Sequence, residues 1–115
     1  MIPRTVRTTG RHLQARLAAV LPNRPRRSLL YVPASSEKML RKASTLKCDS
    51  VCLDLEDGVA ASAKDSAREL LRTWLPQLDF VAGEVLVRVN NEDDDILRAD
   101  IDDILANPAL PNGIV

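Results

Sequence analysis

Aromatic side chains are nearly absent from this chain of 115 residues: Tyr31, Trp74 and Phe80 are all it has. Any core must therefore be built from aliphatic side chains. There is one histidine, His12, and there are two cysteines, Cys48 and Cys52. A structural zinc site needs about four Cys or His ligands at set spacings, so that chemistry is excluded. Two cysteines do not make a disulfide framework. Cys52, inside an apolar run, reads as a buried thiol that behaves as a small hydrophobe. No apolar run approaches the ~18–20 residues of a membrane-spanning helix, so no membrane partner is expected.

Acidic residues are missing from the first part of the chain. Residues 1–27 carry seven arginines (Arg4, Arg7, Arg11, Arg16, Arg24, Arg26 and Arg27), and the first carboxylate is Glu37. The overall charge of zero thus joins a cationic leader to a body with a net charge of −7. Within the leader, Leu13, Leu17 and Val20 recur at helical spacing with Arg11 and Arg16 around them. A cationic amphipathic helix without acids has the composition of a mitochondrial presequence, and the interrupting arginines exclude a secretory signal. A plain basic tail and a nucleic-acid-binding arm are the alternatives. No aromatic is interleaved for base stacking, so no nucleic-acid partner is expected. The sequence therefore predicts a leader over 1–27, a domain over 28–115 and a location in the mitochondrial matrix.

What the body does contain is a regular alternation. Short apolar runs at 28–32, 50–55 and 84–89 read as strands. Three helical segments separate them. The first runs from about Glu37 to Ser44, capped by Ser35 or Ser36, with Met39 and Leu40 facing inward. The second opens at Ser62 and carries the stripe Ala63, Ala67, Leu70, Leu71, Trp74 and Leu75, ended by Pro76. The third follows the acidic segment Glu92 to Asp95, whose charges suit a helix N-terminus, and carries Leu97, Ile101, Ile104 and Leu105. Gly113-Ile114-Val115 begins a fourth strand. Such alternation is the grammar of a parallel α/β fold. The lack of G-x-G-x-x-G after the first strand argues against a dinucleotide-binding fold. A (β/α)8 barrel fits better, but it typically takes ~250 residues. The predicted fold class is therefore the N-terminal part of a TIM barrel, incomplete, with three to four strands and three helices.

In such barrels chemistry collects at the C-terminal ends of the strands. Tyr31 lies near the end of the first strand, Asp54, Glu56 and Asp57 end the second, and Arg88 and Asn90 end the third. A charge within an apolar strand must be paired or functional. Arg88 either closes a structural ion pair with Asp54 or Glu56, or offers its planar fork to a ligand carboxylate; neither role excludes the other. Lys38 and Lys42, spaced i, i+4, share one helix face and are either merely solvated or placed for phosphate.

The stretch RRSLLYVPASSEKMLRKASTLKCDSVCLDLEDGVAASAKDSAR, followed by VLVRVN, closely resembles the citrate lyase beta-like proteins of the HpcH/HpaI aldolase and CitE superfamily, which includes malyl-CoA and citramalyl-CoA lyases. The basic leader resembles that of the mitochondrial citramalyl-CoA lyase branch. The resemblance implies that Tyr31, Lys38 and Lys42 contact a CoA-bearing substrate, the lysines near its phosphates. It implies that Arg88 binds the keto-acid carboxylate or carbonyl, and that Glu56 and Asp57 support the arginine and metal-bound water. The implied reaction is a Mg2+-dependent retro-Claisen cleavage of a 3-hydroxyacyl-CoA to acetyl-CoA and an α-keto acid, in a homo-oligomer. Two departures stand out. Ala34 replaces the glycine that many relatives carry after L-Y-V-P, which is expected to crowd a ligand. The family's metal ligands and catalytic aspartate come from segments past Val115, so no catalytic or metal residue is expected here and the chain alone is expected to be inactive. A non-catalytic module that binds CoA or other subunits is the alternative.

Overall fold

The computed structural model describes residues 25–115. The presequence expectation, apart from its last residues, lies outside them. Four parallel strands follow one another in both sequence and space: β1 (Leu29–Pro33), β2 (Ser50–Asp54), β3 (Glu84–Arg88) and β4 (Gly113–Ile114) form one sheet in the order β1-β2-β3-β4. Doubly wound sheets reverse their strand order at a switch point; this sheet does not. Its order is that of successive strands around a (β/α)8 barrel.

Pro33 has no amide hydrogen to give, and it stands at the end of an edge strand, where that costs nothing. β2 is central and every one of its residues is buried, with the apolar run Val51-Cys52-Leu53 between Ser50 and Asp54.

The connecting helices are α1 (Glu37–Ser44), α2 (Lys64–Trp74) and α3 (Asp94–Leu105). Ser36 caps α1: its backbone is extended and its hydroxyl accepts from the Met39 amide. Only Leu40 of the expected inward pair is buried; Met39 is half exposed, because Leu40, Ala43 and Ser44 define the stripe facing the sheet and Met39 is turned ~100° from it. α2 starts later than Ser62. A 3-10 turn over Ala61–Ala63 leads into it, and no side chain caps the helix. Its Ala67 and Leu71 are buried, as is Leu75 just beyond, with Leu70 and Trp74 packed alongside. α3 is capped by Asp93, whose carboxylate accepts from the Asp95 and Ile96 amides. Ile104 is buried and Leu97 packs against the core, while Leu105 is 64% exposed in the last helical position.

One core joins the helices to one face of the sheet. Val32 of β1, Val51 and Leu53 of β2, Leu55 and Val87 meet Leu40, Ala43, Ala67, Leu71 and Ile104. Fully burying side chains of this size stabilises by about 1.5–3 kcal/mol each. Because strand side chains alternate, the other face carries Leu29, Tyr31 and Pro33, then Ser50, Cys52 and Asp54, then Glu84, Leu86 and Arg88. This second face corresponds to the inside of a barrel, and it holds the polar residues. Ala34 lies in the helix-side core, fully buried.

Candidate functional site

Parallel register sets Pro33, Asp54 and Arg88 side by side at the ends of β1, β2 and β3. The pleat sends Asp54 and Arg88 to the same inner face, so the two charges meet. Arg88 Nε donates to Asp54 Oδ1 at 2.9 Å and Nη2 donates to Oδ2 at 2.7 Å. The Asp54 carboxylate accepts two further bonds, from the Glu56 amide at 2.9 Å on Oδ1 and from the Gly58 amide at 2.9 Å on Oδ2. Both oxygens are thus doubly bonded, and the acid is buried.

The remaining guanidinium nitrogen, Nη1, faces the acidic turn after β2. It lies 3.2 Å from Glu56 Oε2 and 3.6 Å from Asp57 Oδ2. The Tyr31 ring lies beside the cation, 4.9 Å from its centroid to the guanidinium carbon, within range of a cation–π contact. Burial would push the Asp54 carboxyl up, but the Arg88 bonds and the two amides outweigh it and hold the acid below the usual carboxylate range. The Asp54 hydrogen bonds in turn raise Arg88 above the ordinary guanidinium value.

The turn itself is held from several sides. Lys64 Nζ donates to the carbonyl oxygens of Leu55 and Glu56 at 2.9 and 2.6 Å. Asn90 Nδ2 donates to Leu55 O at 2.9 Å and to Asp100 Oδ2 at 2.7 Å, and the Asn90 amide also reaches Asp100. Asp100, with no exposed surface, takes a third bond from Arg68 Nη1. Lys64 and Asp100 are absent from the sequence-derived site. Asp100 carries a legible signal: it sits three residues after Leu97 and four before Ile104, on the apolar stripe, where an acid must have a partner. Lys64 carries none.

Of the expected residues, the structure brings Tyr31, Glu56, Asp57 and Arg88 together. Lys38 and Lys42 lie exposed on α1 and take no part in the Arg88 network. Arg41, between them in sequence, turns onto the Trp74 ring at 4.3 Å and pairs with Glu37. Cys52 is buried on the inner face, and burial pushes its thiol up to about 11, which makes it a poor nucleophile. At the opposite mouth, Arg26 grips Glu84 through two bonds of 2.7 Å, and Ser50 Oγ donates to the same carboxylate. Arg27 pairs with Asp49, whose carboxyl those Arg27 contacts hold down at about 2. Among the described residues no group of three or more His, Cys, Asp or Glu side chains could hold a metal ion. Asp54, Glu56 and Asp57 converge on a guanidinium, which does not fit a magnesium ligand set.

The sequence pattern that defines the HpcH/HpaI aldolase/citrate lyase family matches residues 27–112. The chain belongs to that family. Within it, the mitochondrial citramalyl-CoA lyase of Rattus norvegicus is 38% identical over 91 residues, covering 79% of this chain and 27% of that protein. The (3S)-malyl-CoA thioesterase of Cereibacter sphaeroides is 45% identical over 78 residues, covering 68% of this chain and 27% of its own. Among solved structures, CitE from Mycobacterium tuberculosis, in complex with magnesium, acetoacetate and coenzyme A, superposes with a TM-score of 0.55 at 28% identity. That match covers 70% of this chain and 28% of CitE. The chain therefore spans little more than a quarter of the length of these family members. The four strands and three helices form part of the TIM-barrel fold that CitE adopts.

Proposed function

We propose that this chain supplies the carboxylate-holding wall of a CoA-thioester carbon–carbon lyase. The substrate is a 3-hydroxyacyl-CoA of the citramalyl-CoA type, and the products are acetyl-CoA and pyruvate. The observation that carries the reading is the Arg88 guanidinium, held at the strand-end rim by Asp54 with Nη1 directed at the acidic turn and Tyr31 beside it. In a retro-Claisen cleavage the carbinol hydroxyl loses its proton and the bond to the thioester α-carbon breaks. Its electron pair passes to the acetyl-CoA enolate, which is then protonated. A fixed guanidinium neutralises the acid's carboxylate through this charge movement without reorganising. Lys38 and Lys42, exposed on α1, suit CoA phosphates, and Glu56 and Asp57 tune Arg88.

Magnesium would polarise the keto-acid oxygen, but residues 25–115 do not fit it, and none of the binding described here runs through it. The cationic, acid-free leader over 1–27 and the mitochondrial relatives support import into the matrix. Assembly with further copies of the chain belongs to the same reading.

The alternative reading is a CoA-binding or subunit-associating module without turnover. Calorimetry with coenzyme A and with acetoacetate, together with a citramalyl-CoA cleavage assay in Mg2+, separates them. The lyase reading expects both ligands to bind, Lys38→Ala/Lys42→Ala to weaken coenzyme A, and Arg88→Ala to weaken acetoacetate by about tenfold or more, as loss of a charge-assisted bond does. Binding of coenzyme A without binding of acetoacetate supports the module. Binding of neither ligand overturns both.

A further inference from the structure

We propose that Asp54 is the positioning residue of the Arg88 anion site: it occupies the Nε/Nη2 edge of the guanidinium and leaves the Nη1/Nη2 end as the edge a substrate carboxylate takes, with Asp57 as the contact displaced. The inference rests on the reading of Arg88 as the carboxylate holder.

A guanidinium offers a carboxylate two bidentate edges, side-on through Nε and Nη2 or end-on through Nη1 and Nη2. Asp54 fills the first with bonds of 2.9 and 2.7 Å. It cannot readily let go. Its side chain is 4% exposed and is also held by the Glu56 and Gly58 amides, so swinging away would orphan two donors as well as Arg88. Gly58 belongs to the same device: a Cβ there would lie 2.7 Å from Asp54 Oδ2 and would push it off the guanidinium.

The end-on edge is differently held. Asp57 is 82% exposed on its side chain and 3.6 Å from Nη1, beyond hydrogen-bond length. Glu56, at 3.2 Å and 17% exposed, is the firmer of the two. An entering carboxylate therefore exchanges with Asp57 and keeps Asp54. The Tyr31 ring lies at 4.9 Å, backing the cation. Asp54 touches no ligand in this arrangement and acts through Arg88 alone.

Opposite signs in two neighbouring acids test this. Acetoacetate affinity is measured by calorimetry on the full chain, alongside thermal midpoints and the solvent exchange of the Arg88 Nε–H proton by NMR. Asp54→Asn and Gly58→Ala are each expected to weaken acetoacetate by about tenfold or more, the effect of losing a charge-assisted bond, and to speed exchange at Nε. Asp57→Asn is expected to tighten acetoacetate while exchange at Nε stays slow. If Asp54→Asn lowers the midpoint but binds acetoacetate as the wild type does, Asp54 is structural only and the inference is overturned. The same holds if Asp57→Asn weakens binding. Should Asp54→Asn fail to fold, Gly58→Ala and Asp57→Asn still decide. A wild-type chain that does not bind acetoacetate while Nε exchange is slow removes the carboxylate reading of Arg88 instead, and this inference with it.

Discussion

A buried carboxylate normally resists ionisation, yet Asp54 is held charged by its four donors. Its folded-state value lies below the ordinary 3.8. The stability it contributes is therefore fully present above ~4, the value in an unfolded chain, and is lost as pH falls through the folded value. Asp49, lowered to about 2, behaves the same way at the opposite mouth. The thermal midpoint of the wild type is expected to drop steeply between about pH 4 and pH 2, and Asp54→Asn is expected to flatten that drop. Equal slopes in the two proteins would show that Asp54 is not held ionised by the fold. The strand-end charges were legible from sequence as a pair that had to be explained, since Asp54 and Arg88 each interrupt an apolar strand. Their division of labour was not. Spacing left an ion pair and an anion site equally open; the structure shows the ion pair, made through the Nε/Nη2 edge of the guanidinium.

Strands and helices were read from sequence because their apolar periods are unambiguous, and the misses lie where neighbouring residues compete for one position. Met39 loses the inward place to Leu40. The second helix opens past Ser62, after a 3-10 turn in which the Ala63 amide bonds the Ala60 carbonyl. The tie between α2 and α3 was not visible at all, since helical spacing does not say which acid meets which base across two helices. Asp100 makes that tie, joining Arg68 of α2 to Asn90 beyond β3. Asp100→Ala leaves Arg68 and both Asn90 donors without it, and is expected to cost about 3–5 kcal/mol in urea unfolding, the range for breaking a buried ion pair. Asp103→Ala, which removes a more exposed contact to Arg72, is expected to cost less than ~1 kcal/mol. Similar losses in the two variants would contradict the role given to Asp100.

Over the described residues as a whole, the helix side of the sheet is closed by a continuous aliphatic core and the inner face is not. Leu29 and Tyr31 are each nearly half exposed on that face, while Ser50, Cys52 and Asp54 in the middle strand are buried. The inner face thus has charged mouths, Arg26 with Glu84 at one end and Arg88 with Asp54 at the other, and an apolar middle. The fold class was legible because sequential parallel strands leave few alternatives. The family was legible through the motifs L-Y-V-P, L-D-L-E-D-G-V and V-R-V-N. The claim on which the function depends is that Arg88 presents its Nη1/Nη2 edge to an acid from the inner rim. Nitrogen-15 NMR of the arginine Nε–H groups during an acetoacetate titration measures this directly. The Arg88 signal should be resolved before ligand is added and move to saturation, while that of Arg72, paired with Asp103 between α2 and α3, stays in place. An Arg88 signal that does not move, or that moves in step with Arg72 without saturating, would contradict it.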